Sequence, residues 1–349
     1  MTDGWATLRA HQCAVRSLGF APSGRQLVSG DDYGQVVLWS LETRRPLLVW
    51  EAHGNALLAT RFWGTTSELV VTHGRDNLLR IWNPAEVADG VPRVVHEQDV
   101  NALNFCPVAL APATSEQLVF ATPASTASER IDVYVLTDFK LSRPFRALDA
   151  AEALPLDTQL EDEGASQRRG LLGTVMALQF SDNSLVAGYE SGHVASFDLQ
   201  TGEVRCLVQV HKSPVLSLEL AIENHHLVAY VSAANRQLSR LNISTQETMV
   251  VTRLAHKGVA SVSICDSLMV TAGWDGNVRL FERREDWEEV AAFPGMKQAG
   301  ITVALISAVE PSPRRRLKPL PDKWIAVAGK NGRIGLFAVG SLTEITNHF

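Results

Sequence analysis

Two markers recur in phase along this chain. Five histidines each stand nine residues ahead of a strand-end residue: His11 before Phe20, His53 before Phe62, His96 before Phe105, His211 before Leu220 and His256 before Cys265. His11, His53 and His96 are 42 and 43 residues apart, and His211 and His256 are 45 apart. The second marker closes a polar turn and an alternating stretch. It runs SGDDYGQVVLW to Trp39, THGRDNLLRIW to Trp82, SERIDVY to Tyr134, AGYESGHVASF to Phe197, VSAANRQLSRL to Leu241, TAGWDGNVRLF to Phe281 and VAGKNGRIGLF to Phe337. The usual form is a short apolar strand, a polar turn rich in Gly, Asp or Asn, and an alternating strand, which is the sequence form of a tight β-hairpin. One supersecondary unit written seven times bounds the fold more tightly than composition can.

A period of about 40–45 residues, with a histidine near its start and a large aromatic near its end, is the form of a WD40 blade. The repeat therefore predicts an all-β, seven-bladed WD40 β-propeller. A lone four-stranded sheet cannot bury both faces; blades packed side by side bury them against their neighbours, and ring closure removes exposed sheet edges. The blades are expected near 11–51, 53–97, 98–145, 171–210, 211–254, 256–294 and 299–339. The segment Trp5–His11 (WATLRAH) is similar to Pro46–His53 (PLLVWEAH), the outermost strand ahead of a repeat histidine. Residues 4–10 are thus expected to supply the missing fourth strand of the last blade.

Two stretches break the pattern. The 115 residues from His96 to His211 exceed two blades of about 43 residues by roughly 29. The surplus is assigned to an insertion at 137–172, polar and irregular, read as a solvated loop. A second insertion at 310–323, EPSPRRRLKPLPDK, is rich in proline and cannot continue a strand. Its Arg314, Arg315, Arg316 and Lys318 read either as plain solvated loop or as a nuclear-targeting or acidic-partner patch.

The blades carry their own polar glue. His53, Thr72, Asp76 and Trp82 fall at the spacing WD40 repeats use for a hydrogen-bonded tetrad. Left unpaired, each such group would cost ~1–3 kcal/mol on burial. Blade 6 repeats the set as His256, Thr271 and Asp275, with Phe281 in place of the tryptophan. Blade 1 offers His11, Ser29 and Trp39, with Tyr33 where the carboxylate is expected and Asp32 one residue away. Blades 4, 5 and 7 lack most of the set and are expected to rely on apolar packing.

Function classes narrow by what these residues are already doing. The repeat histidines sit in different blades and cannot converge on one ion, so they are structural rather than metal ligands. Cys13, Cys106, Cys206 and Cys265 form no CxxC pair, which speaks against a zinc ribbon and a dense disulfide framework and for reduced, buried thiols. No GxxxxGK[ST], HExxH or GxSxG occurs. AGYESG and AGKNG are hairpin turns in register with the repeat, not phosphate loops. The net charge of −6 lowers the prospect of direct nucleic-acid binding. The N-terminal residues show no secretory signal, and no run of about 18 apolar residues occurs. The expectation is a soluble, intracellular, non-enzymatic protein with no metal or cofactor.

The binding surface is narrowed by register. The residue just before the turn carboxylate points to the face where hairpin turns and histidine loops gather. These positions hold Asp32, Arg75, Glu190, Ala234, Trp274 and Lys330. Trp274 is the first choice for a partner contact and Arg75 the second, since an exposed tryptophan beside charges is a hot-spot composition; the competing reading packs Trp274 on a neighbouring blade.

THGRDNLLRIW, DVNALNF, ERIDVYVL with FKLSRPF, AGYESGHVASFDL, HKSPVLSL and AGWDGNVRLF together resemble the fungal ASTRA-associated WD-repeat family, itself similar to the animal G-protein β-subunit-like protein 1. The blade 3 and blade 4 phrases are the more specific part. The resemblance implies a scaffold subunit of the ASTRA chromatin-remodelling assembly. It also implies contact with the co-chaperone machinery that matures phosphatidylinositol-3-kinase-related kinases, and residence in the nucleus with a cytoplasmic pool beside it. The alternative is a WD40 substrate receptor of a ubiquitin ligase or another WD40 adaptor. A propeller enzyme would need converging channel residues that the sequence does not offer.

Overall fold

The structure, a computed structural model, describes residues 5–64, 69–101, 105–113, 117–138, 140–154, 172–254, 257–283, 286–294, 301–308 and 322–339. It contains seven antiparallel sheets of four strands each. Blade 1 spans 15–51, blade 2 57–99, blade 3 109–148, blade 4 175–209, blade 5 215–253 and blade 6 259–294. Blade 7 takes three strands from 301–338 and its fourth, Trp5–Arg9, from the start of the chain. That strand pairs antiparallel with Arg333–Ala338, from Trp5 opposite Phe337 to Arg9 opposite Arg333.

The chain divides into two compact units, residues 1–98 with 260–349, and residues 99–259. In the first, Leu268, Val270 and Leu280 of blade 6 pack on Ile325 and Val327 of blade 7. Leu8, Trp324 and Ile334 of blade 7 pack on Leu18 and Trp39 of blade 1. Val28, Val36 and Trp50 of blade 1 meet Leu57, Val70 and Trp82 of blade 2. In the second unit, Ile131 and Val133 of blade 3 pack on Leu185 and Phe197 of blade 4, and Val186 and Val194 of blade 4 pack on Val215 and Val231 of blade 5.

Residue alternation explains this order. In Ser184–Tyr189 of blade 4, Leu185 joins the cluster with blade 3 and Val186 the cluster with blade 5. A strand covered on both faces reads as an apolar run rather than as an alternation. Outer strands such as Arg45–Glu51 keep mostly exposed side chains. Each large side chain fully buried between blades contributes ~1.5–3 kcal/mol.

Blade 3 departs from the expected boundaries. Lys140–Leu148, placed within the 137–172 insertion on the sequence, is the fourth strand of blade 3. Its ladder with Ile131–Thr137 carries register irregularities, which obscure the period-2 pattern. Pro144 is tolerated because this strand lies at the sheet edge. A short 3₁₀ helix, Ala150–Ala153, follows, and residues 155–171 lie outside the described residues. Of the His96–Phe105 step, residues 102–104 lie outside the described residues. His96 lies in the outer strand of blade 2, Val91–Asp99, reached through an Asp89–Gly90 turn with both residues at positive φ. The first strand of blade 3 is only Ala109–Leu110, beyond Pro107, and Phe105 is exposed.

Candidate functional site

Blade 2 shows how a turn is fixed to the loop beside it. Trp82 Nε1–H donates to Thr72 Oγ1 at 2.9 Å. Thr72 Oγ1 lies 2.7 Å from His53 Nε2, and His53 Nδ1 lies 2.8 Å from Asp76 Oδ1. Burial holds the His53 imidazole below its ordinary pKa, although Asp76 pulls the other way. Burial alone would raise the Asp76 carboxyl; hydrogen bonds from His53 and the Gly54 N–H, with the Arg80 charge, outweigh it and leave it lowered. A neutral imidazole therefore donates from Nδ1 to a carboxylate and accepts the threonine proton at Nε2.

Blade 1 makes the same chain of bonds with a different carboxylate. His11 Nε2 lies 2.7 Å from Ser29 Oγ, which accepts from Trp39 Nε1 at 2.8 Å. The partner of His11 Nδ1 is neither Asp32 nor Tyr33 but Asp31, at 2.7 Å. The ladders explain the correction. Gly30 pairs with Val36 as His73 pairs with Leu79, so Asp31 occupies the position of Gly74 and Tyr33 that of Asp76. At Gly74 an added Cβ would collide with the His53 ring and the Asp76 carboxylate. A blade can therefore supply the carboxylate from one of these two positions, and the other must give room. Asp31 also accepts from the N–H groups of Tyr33 and Gln35, so it caps its own turn. Burial would raise its pKa; the His11 bond and these N–H groups bring it down instead.

The blade 6 set is not assembled among the described residues. His256 lies outside them. Asp275 accepts from Arg279 at 2.7 Å and from Asn277 Nδ2 at 2.9 Å. These bonds outweigh burial and bring its pKa down to about 2. Thr271 Oγ1 is buried and has no hydrogen-bond partner among the described residues. Blade 5 keeps more than the sequence reading granted. His211 Nε2–H donates to the Val231 carbonyl at 3.3 Å, and Asn235 Nδ2–H donates to His211 Nδ1 at 3.1 Å. Asn235 stands at the position of Asp76, since Ser232 pairs with Leu238 as His73 pairs with Leu79. An asparagine at that register was the signal available in the sequence.

The turns carry the candidate contact residues. In the first unit, consecutive blades 6, 7, 1 and 2 present Trp274, Lys330, Asp32 and Arg75. Trp274 is 56% exposed, Lys330 and Arg75 are exposed, and Asp32 is half-buried in a two-pronged pair with Arg16 at 2.5 and 2.9 Å. Tyr33, beside Asp32, is 75% exposed, the most open large side chain on these turns. Tyr33 stands at the register of the blade 2 carboxylate, so spacing alone marks it as a replaced tetrad member and not as an exposed ring. In the second unit Glu190 is exposed and accepts from the Thr174 N–H and hydroxyl, while Ala234 is half-buried.

Among the described residues no three His, Cys, Asp or Glu side chains are placed to share a metal ion. The four cysteines are free thiols, and burial pushes Cys206 up to about 11 and Cys106 further still, which suppresses thiolate chemistry. Among the described residues no helix is long and apolar enough to cross a membrane.

Seven four-stranded blades, the last completed by the N-terminal strand, with His–Ser/Thr–Asp–Trp sets in two of them, define a WD40-type β-propeller. The β-propeller domain of Myceliophteria thermophila Cps50 (Swd1) has the same fold, with a TM-score of 0.71 over 96% of this chain and 99% of that one, at 17% identity. The family model described as ASTRA-associated protein 1 matches residues 5–305, and the chain belongs to that family. Relatives bearing that name include the Clavispora lusitaniae protein, 36% identical over 81% of this chain and 78% of its own length. The Schizosaccharomyces japonicus protein is 30% identical over 95% and 97%, and the Komagataella phaffii protein 31% identical over 80% and 74%.

Proposed function

We propose that this chain is a non-catalytic scaffold subunit of the ASTRA assembly, holding protein partners on the turns of its blades. In this reading it links that assembly to the co-chaperone machinery for phosphatidylinositol-3-kinase-related kinases, and it works in the nucleus. The observation that carries the proposal is membership of a family whose members are named for association with ASTRA. A physical means supports the reading: Tyr33 and Trp274 are exposed on turns whose backbone N–H groups donate to the Asp31 and Asp275 carboxylates. Rigid aromatic anchors lose little conformational entropy on binding.

The test is affinity purification of the tagged full chain from nuclear and cytoplasmic extracts of its own source. Recovery of ASTRA subunits together with kinase-maturation factors, mainly from the nuclear fraction, is the expected result. Recovery of ubiquitin-ligase adaptors in their place would overturn it. A hydrolytic activity that tracks with the purified chain and survives removal of contaminants would refute the non-catalytic part.

A further inference from the structure

The loop bearing His211, the turn of blade 5 and the end of its outer strand enclose an open cleft of about 780 Å³. Its lining holds three cations, Lys212, Arg236 and Arg253, and no aspartate or glutamate. All three are exposed, and among the described residues none of them is in an ion pair. Several other cations of the chain are paired. Arg16, Arg80, Arg205, Arg240 and Arg279 each rest against a carboxylate, and the chain as a whole carries a net charge of −6.

The lining has lost a negative charge as well as gained positive ones. Where blade 2 places the Asp76 carboxylate against its histidine, blade 5 places the Asn235 amide. Asn235 donates to His211 Nδ1, so the imidazole proton sits on Nε2 and points to the Val231 carbonyl, the opposite tautomer from His53. The floor of the cleft is therefore neutral. The turn that carries Arg236 is held in place: the Gln237 N–H donates to Asn235 Oδ1 at 2.8 Å, and the Leu254 and Gly258 N–H groups donate to the Arg236 and Asn235 carbonyls, both at 2.8 Å. Ser213, Gln209 and Gln237 add hydrogen-bonding groups to the lining. Unpaired cations around a neutral polar floor attract carboxylates and select against cationic partners.

We propose that this cleft docks an acidic segment of a partner protein, with its carboxylates against Lys212, Arg236 and Arg253. The proposal deepens the scaffold reading and rests on it. A peptide fits better than a nucleic acid, because the lining contains no Phe, Tyr or Trp on which a base could stack. The net negative charge of the chain also opposes a long polyanion more than a short acidic segment.

Fluorescence anisotropy of the full chain with a labelled Glu-rich peptide tests this, with the Gln-substituted peptide and an oligo-dT strand as comparisons. The Glu peptide should bind, weaken as salt rises, and outcompete both. The double variant Arg236→Glu, Arg253→Glu should weaken binding by about tenfold or more, with unchanged thermal melting because both side chains are exposed. Asn235→Asp restores the carboxylate of blade 2 without altering side-chain size. It should weaken peptide binding while melting stays the same or rises. Equal binding of the Glu and Gln peptides, tighter binding of oligo-dT, or full binding by the double variant would each overturn the proposal. The scaffold reading is separable: if the double variant purifies the same partners as the unaltered chain, the cleft proposal fails and the scaffold stands. If the unaltered chain purifies none, the scaffold itself fails.

Discussion

Thr72 and Ser29 each bridge a histidine and a tryptophan, so one hydroxyl satisfies two buried nitrogens. Thr72→Val keeps the shape and strands both, and should lower unfolding stability by about 2–4 kcal/mol in a urea titration. Thr271 stands at the matching place in blade 6, but among the described residues its buried hydroxyl has no hydrogen-bond partner, so Thr271→Val should be neutral or stabilising. Equal losses at the two sites would show that the tetrad is not what makes Thr72 matter. Four histidines titrate in one direction. Burial lowers the pKa of His53, His96, His193 and His211 from 6.5. Below that value the unfolded chain takes up protons that the folded chain refuses, so stability falls as pH drops. Asp31, Asp76 and Asp275, lowered from 3.8, extend the loss in the same direction at more acid pH. The melting temperature should decline between about pH 7.5 and about pH 5; a flat or rising profile would contradict the burial argument. The tetrad of blade 2 was readable because all four groups stand at the family spacing. Asp31 was not, because a carboxylate displaced along the turn reaches the same nitrogen, and spacing alone does not record which backbone positions have room for a side chain.

Trp5–Arg9 shows what a single strand contributes. It covers the edge of Arg333–Ala338 with a regular five-pair ladder and sends Leu8 into the cluster with Leu336 and Trp39, 1% exposed. Leu8→Ala should cost about 2–5 kcal/mol, as for other buried leucines. Removing residues 1–10 should cost more, since it takes away the ladder and uncovers an edge open to pairing with other chains. Unchanged melting after that deletion would refute the completion of blade 7 by the N-terminal strand. This strand was legible because WATLRAH keeps the phase of the outer strands that precede His53. The outer strand of blade 3 was not. Its ladder is interrupted, it contains Pro144, and its anchoring contact is of another kind: Arg143 lies 4.6 Å from the centre of the Tyr134 ring, which stacks on Phe120 at 4.7 Å. A cation over an aromatic leaves no alternation for a period-based reading to find.

At the scale of the whole molecule, the residues that build the fold and those exposed on the turns obey different rules. Second strands are almost wholly buried and mostly small or apolar, which is why the copies stay in phase despite scattered identities. Turn positions next to the tetrad carboxylate have no packing duty. The positions matching Arg75 hold Trp274, Lys330, Asp32 and Arg75 on successive blades of the first unit, without a shared residue type, and Tyr33 follows Asp32. The repeat could therefore give the blades and the register of the exposed turn positions, while the link to ASTRA comes from the family. The same freedom yields a separable prediction. Tyr33→Ala and Trp274→Ala remove exposed rings, so each should change unfolding stability by no more than about 0.5 kcal/mol. If they are anchors, each should reduce recovery of the co-purifying partners by an amount matching about 2 kcal/mol, or roughly thirtyfold in affinity. Leu8→Ala should do the reverse, lowering stability while the fraction that remains folded holds partners as before. Unchanged partner recovery with both aromatic variants would move the binding surface off these turns, and the acidic-peptide cleft of blade 5 would then be the first place to look.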